Sequence, residues 1–191
     1  RVDEGEEHHR RHAGREEAGP EHRPDALREV VRVLKPGGRF VIAGEPTTIG
    51  HWYARHISRA TWETATRVTK LPPLRGKWAR AQAELDESSR AAALEAVVDL
   101  HTFDPAALAA MARHAGAEHV GTATEELTSA LAGWPIRTFE YAVAEDALGF
   151  GWAKFAYGTW KNLMKVDAVL GRVVPQRFFY NVGVTGTKPL R

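Results

Sequence analysis

Cysteine is missing from all 191 residues. Its absence excludes a disulfide framework, a thiolate nucleophile and any zinc or iron–sulfur site with Cys ligands. Long apolar runs are missing too. No stretch approaches the ~20 residues of a membrane span, and no apolar signal-peptide core stands near the start. Nor does one sign of charge dominate, since 26 Lys and Arg face 24 Asp and Glu for a net charge of +2. A balance that close to neutral predicts no nucleic-acid partner. These absences together predict a cytoplasmic protein with no membrane partner. What is present, 43% hydrophobic and 26% charged residues, is the composition of a folded domain, and the length suits one of ordinary size.

Residues 1–24 differ from the rest. Val2, Ala13 and Ala18 are their only aliphatic residues, and no aromatic occurs. Such a segment cannot bury enough apolar surface to offset its ordering entropy, which predicts a disordered charged tail. His8, His9, His12 and His22 lie within it. Their spacing matches no ligand geometry, so no metal site is expected.

At Asp25 the character changes. Asp25 reads as an N-cap, and Leu27, Val30, Val31 and Leu34 fall at i, i+3, i+4 and i+7, one apolar stripe of a helix. Lys35-Pro36-Gly37-Gly38 stops it, since Pro cannot continue a helix and Gly accepts positive φ. Arg39 to Gly44 (RFVIAG) follows as a strand of the kind buried on both faces of a parallel sheet.

Farther on, Gly50–Lys70 has helical periodicity through Ile49, Trp52 or Tyr53, Ile57, Ala60, Thr64 and Val68. Leu71 to Gly76 reads as a break, and Lys77–Leu100 as an Ala-rich helix interrupted near Ser88 and Ser89. Asp104-Pro105 opens a helix, with Asp104 as N-cap. Leu108, Met111, Ala112 and Ala115 are its buried stripe, Gly116 its end, and Ala117–Thr124 the next strand. An aromatic helical pair follows, opening at Trp134-Pro135-Ile136 and running through Phe139, Phe150, Trp152, Phe155, Tyr157 and Trp160. The pair is expected to pack on the sheet, and offers a cap over an apolar ligand or a homodimer surface. Phe178 to Pro189 alternates as a closing strand.

The run Asp25 to Pro46, with Arg32, Leu34, Lys35, Pro36, Gly37 and Gly38 in order, resembles the segment leading into the fifth strand of class I S-adenosylmethionine-dependent methyltransferases. The helix–Ala-Gly–strand unit at 105–124 is similar to the family's approach to strand six. The ending Tyr180-Asn181-Val182 through Lys188-Pro189 is similar to its strand seven. The resemblance implies an α/β fold with an incomplete Rossmann-like methyltransferase sheet. About three strands, equivalent to five, six and seven, carry large helical content, with strand seven antiparallel between the other two. Residues 25–191 form that carboxyl-terminal part, with helical insertions at about 49–100 and 126–172.

The family's cofactor motifs, a glycine-rich loop after a strand and an acidic strand end, are absent: Gly5, Gly14 and Gly19 stand among charges and follow no strand. The expectation is a truncated chain whose opening segment is foreign to the domain, from a misread frame or a truncation. S-adenosylmethionine is the cofactor the resemblance implies, and its binding by this chain alone is expected to be weak or nil, with no cofactor-binding residue assigned. The expected activity is methyl transfer to a small, apolar molecule. The alternative is a non-enzymatic substrate-binding or dimerisation module of the same descent.

No catalytic residue is assigned. Groups after the fifth strand face the ligand end of such a sheet. This makes Glu45, His51, Trp52, Tyr53 and His56 the substrate-side candidates. Glu45 could orient a substrate or take a proton, and His51 or His56 has the range of a general base. Arg55, Arg59, Arg67, Lys70, Arg75, Lys77 and Arg80 form a basic series that reads as a solvated face.

Overall fold

Strands β1 (Arg39–Pro46), β2 (Glu118–Glu125) and β3 (Asn181–Thr187) make one sheet in the order β1-β3-β2. They belong to a computed structural model that describes residues 23–97 and 101–190. The charged segment 1–22 lies outside those residues, as does the expected helix end at Leu100. β3 pairs antiparallel with both neighbours, so β1 and β2 run parallel to each other. This is the strand order and direction that the resemblance implies.

Seven α-helices occur among the described residues: α1 (Arg23–Val33), α2 (Thr48–Val68), α3 (Pro72–Trp78), α4 (Gln82–Val97), α5 (Pro105–His114), α6 (Thr128–Ala142) and α7 (Phe150–Leu170). α1 begins at Arg23, so Asp25 lies inside its first turn rather than capping it.

α1 and α5 cover one face of the sheet. Leu27 and Val31 of α1, Phe40 of β1, Leu108 and Ala112 of α5, and Val182 and Val184 of β3 form the core there. Each large side chain so buried contributes about 1.5–3 kcal/mol. The other face is not covered by described residues: Val41 is 71% exposed, and Ala43, Ala123 and Thr185 share its side. The expectation that β1 is buried on both faces is therefore corrected. Its apolar run reflects α1 and α5 on one side only.

The motif ends are tied to each other. Gly37 N donates to Lys188 O at 3.0 Å, and Lys188 N donates to Gly38 O at 2.8 Å. Lys188 Nζ donates to Arg32 O and Leu34 O, both at 2.8 Å, supplying a cation and two donors to the carbonyl end of α1.

The helical layer departs from the sequence expectations. α2 does not bury the side through Trp52, Ala60, Thr64 and Val68; Gly50, Ala54 and Ala65 are buried instead. Small residues let α6 and the Phe179–Tyr180 backbone approach closely. α3 starts on Pro72-Pro73, which suit a first turn where N–H groups have no partner, so the expected break is helical. α4 runs unbroken through Ser88 and Ser89. The break falls at Ala79, whose extended backbone bridges Val143. α6 opens at Thr128, not at Trp134, and carries Pro135 inside it. α6 and α7 pack on each other, and α6 packs on α2 rather than on the sheet.

Candidate functional site

Because β3 is antiparallel, its first residues lie beside the carboxyl ends of both β1 and β2. Asn181 pairs with Pro46 on one side and with Glu125 on the other. The next residue after β2, Glu126, has φ +65, a left-handed conformation that costs a non-glycine residue about 1–3 kcal/mol. Three elements hold it there. Its carbonyl accepts from Tyr180 N at 2.8 Å and from the Tyr53 hydroxyl at 3.4 Å. Its carboxylate accepts from Asn181 Nδ2 at 2.9 Å and from Trp160 Nε1 at 3.2 Å. Trp134 packs edge-on against Tyr180, with ring centroids 5.3 Å apart.

Burial pushes both phenols above their ordinary range. For Tyr53 the neighbouring Tyr180, Asp167 and Glu126 add to that, and for Tyr180 so does Glu126. Both phenols are neutral at physiological pH, and Tyr53 donates to the Glu126 carbonyl. Each Glu126 carboxylate oxygen has used one of its two lone pairs. The arrangement is a half-buried carboxylate with spare acceptor capacity beside an aromatic wall. It can accept a hydrogen bond from a hydroxyl or amine whose carbon skeleton lies on the rings.

The corner after β1 is pinned to this cluster. Thr47, almost fully buried, donates from N to Tyr180 O at 2.7 Å and from Oγ1 to Phe179 O. Its Oγ1 also accepts from Gly50 N at 2.9 Å, capping α2. Gly50 has no room for a side chain: a Cβ would lie 2.6 Å from Tyr180 Cα.

Of the five candidates named from sequence, Tyr53 alone enters the cluster. Glu45 sits one pairing step from Asn181, opposite Val182, because one extra residue at Gly44 (φ +86) shifts the register. Without that bulge Glu45 would share the open face of Val41. The Glu45 side chain makes no hydrogen bond or ion pair with the described residues. His51, half-buried in the first turn of α2, is held below its ordinary pKa by burial and by Arg55. Trp52 is exposed, with the tilted His56 ring beside it at a centroid distance of 4.5 Å. His56 Nδ1 donates to Trp52 O at 2.7 Å, within its own helix. Sequence reasoning gave Glu126 no role, placed Tyr180 and Asn181 only in the closing strand, and placed Trp134 and Trp160 only in the aromatic helical pair.

A second aromatic feature lies at the start of α7. The rings of Trp78, Phe139, Trp152 and Phe155 adjoin in series, tilted to one another, at centroid distances of 6.3, 5.3 and 5.3 Å. Trp152 Nε1 donates to Glu140 Oε1 at 2.7 Å. Trp78, Trp152, Phe155 and the turn 147–151 line an open apolar depression of about 400 Å³.

The described residues do not make a cradle for S-adenosylmethionine. A site for it needs backbone that a ligand can approach and an acid for the ribose. Acids do stand near the strand ends, as Glu45 and Glu126, but Pro46-Thr47-Thr48 and Leu127-Thr128-Ser129 follow them, not a glycine-rich loop. The space at Gly50 is filled by the chain itself. Among the described residues no group of three or more His, Asp or Glu could hold a metal ion. No described helix is long and apolar enough to cross a membrane.

Compared with protein-family models, with curated proteins and with solved structures, the chain matches none.

Proposed function

We propose that the chain is the substrate-side part of a class I S-adenosylmethionine-dependent methyltransferase, acting on a small molecule with an apolar skeleton and one hydrogen-bond donor. The observation that carries this reading is the strand order. An antiparallel strand lies between two parallel ones, and the K-P-G-G and G-x-K-P segments that suggested the family are hydrogen-bonded to one another. The donor clause rests on the Glu126 carboxylate, and the apolar clause on Trp134, Tyr53 and Tyr180 around it. In this reading Glu126 orients the acceptor molecule, and Asn181 and Trp160 fix the carboxylate. The cofactor side is supplied by a glycine-loop segment outside these 191 residues.

The test is transfer of labelled methyl groups from S-adenosylmethionine to small apolar alcohols, phenols and amines. It is measured on the chain alone and together with any glycine-loop protein that co-purifies with it. Transfer in the second mixture only, reduced in Glu126→Ala, is the expected result. Absence of transfer from both contradicts the methyltransferase reading.

A further inference from the structure

The exposed side of α7 combines cations with large apolar side chains and carries no carboxylate. Three lysines, Lys154, Lys161 and Lys165, recur at spacings of seven and four residues, so they line one stripe, and all are exposed. Phe150 and Tyr157 flank the stripe on one side, and Phe155, Val166 and Val169 on the other. Their exposure runs from 44% at Val166 to 75% at Phe150. Asp167 is the helix's single acid, and it is buried against the start of α6. The acids that reach α7 from other elements, Glu126 and Glu140, accept from its tryptophans. Val173 and Arg172, beyond the helix end, continue the same mixture.

A folded protein leaves such a run of apolar side chains in water at a cost, and the run here spans a helix about 30 Å long. A second copy of this chain does not suit it. In a two-fold contact the same patch meets itself, which would set lysine against lysine with no acid between. What fits is a surface that is negative at the rim and apolar beneath. Lysine stems can lie along the hydrocarbon boundary while their ammonium groups meet phosphates, and Phe, Tyr and Val enter between them. Lys154 already sits 4.8 Å over the Phe150 ring, so cation and ring reach the same plane together. We propose that α7 is a surface-lying helix that docks the protein onto anionic phospholipid bilayers. Lying on a bilayer requires no spanning segment. The inference does not rest on the methyl-transfer reading, because docking involves neither cofactor nor substrate.

The experiment is co-sedimentation of the full chain with phosphatidylcholine vesicles, with and without a quarter of phosphatidylglycerol. The mixed vesicles are expected to bind the protein, and raising the salt to about 0.5 M to release it. Lys154→Glu with Lys161→Glu and Lys165→Glu should weaken partition by at least about a hundredfold, from roughly fivefold for each cation lost and further repulsion from each glutamate. Phe155→Ala with Val169→Ala should weaken it by about tenfold while the lysines remain. All five positions are exposed, and circular dichroism checks that the variants keep their fold. No binding to the mixed vesicles overturns the proposal, as does binding that the lysine reversal leaves unchanged. Salt-sensitive binding to single-stranded RNA without vesicle binding overturns it in favour of a nucleic acid.

Discussion

α5 and α6 begin in opposite ways. α5 is capped from within: Asp104 Oδ1 accepts from Ala106 N at 2.9 Å and from Ala107 N at 3.2 Å, two and three residues along. α6 is capped from a distance. Asp167, in the last turn of α7, accepts from Leu127 N, Thr128 N and Ser129 N at 3.1, 2.7 and 3.0 Å. Its carboxylate also accepts from the Thr128 and Ser129 hydroxyls at 2.6 and 2.5 Å. The first cap needs nothing but its own segment. The second exists only when α7 has docked, so it couples the two helices that carry Trp134 and Trp160 to the Glu126 site.

That difference sets the scale of several substitutions. Asp167→Ala removes the shared acceptor of three amides and two hydroxyls, and should cost about 3 kcal/mol or more, read as a lower midpoint in urea. Thr47→Val comes next. It removes the α2 cap and leaves Phe179 O without its donor, for about 2 kcal/mol by the same measurement. Asp104→Ala, at the local cap, should cost about 1 kcal/mol. Lys188→Met, which removes the tie to the end of α1, should cost about 0.5–1 kcal/mol and less at high salt. If Asp104→Ala proves as damaging as Asp167→Ala, the distinction between local and distant caps fails.

Acid probes the distant cap directly. Burial by itself would raise the Asp167 carboxyl, but the hydroxyls and amides of Ser129 and Thr128 outweigh it and hold the group below its ordinary 3.8. A carboxylate depressed in the folded state contributes stability that is present above pH 3.8 and is lost as pH falls through the folded value. Melting temperature should therefore drop more steeply below pH 4 in the natural chain than in Asp167→Asn. Equal slopes would remove Asp167 from the account.

Legibility follows the same division. Asp104, the Lys35–Gly38 turn, and the Leu108 and Val31 stripes act on neighbours a few residues away, so their pattern is visible along the chain. The break at Ala79 has no local sign. It is set by the bridge to Val143, by Ala144 N donating to Trp78 O at 3.1 Å, and by Arg80 reaching Tyr141 O at 2.8 Å. Ser88 and Ser89 look like an interruption, yet Ser in a helix costs well under 1 kcal/mol against Ala, too little to end one. The site divides similarly. Tyr53 was in view because it follows the end of β1. Glu126 was not, because its left-handed backbone favours Gly or Asn, and four donors from three separate segments are what keep a glutamate there.

We propose for these residues the substrate side of a methyltransferase and not its cofactor side. Isothermal titration of the 191-residue chain with S-adenosylmethionine tests it most directly. The account predicts no saturable heat at cofactor concentrations up to about 1 mM, a limit of roughly −4 kcal/mol. Saturable binding in the micromolar range would contradict it, because these residues alone would then hold the cofactor.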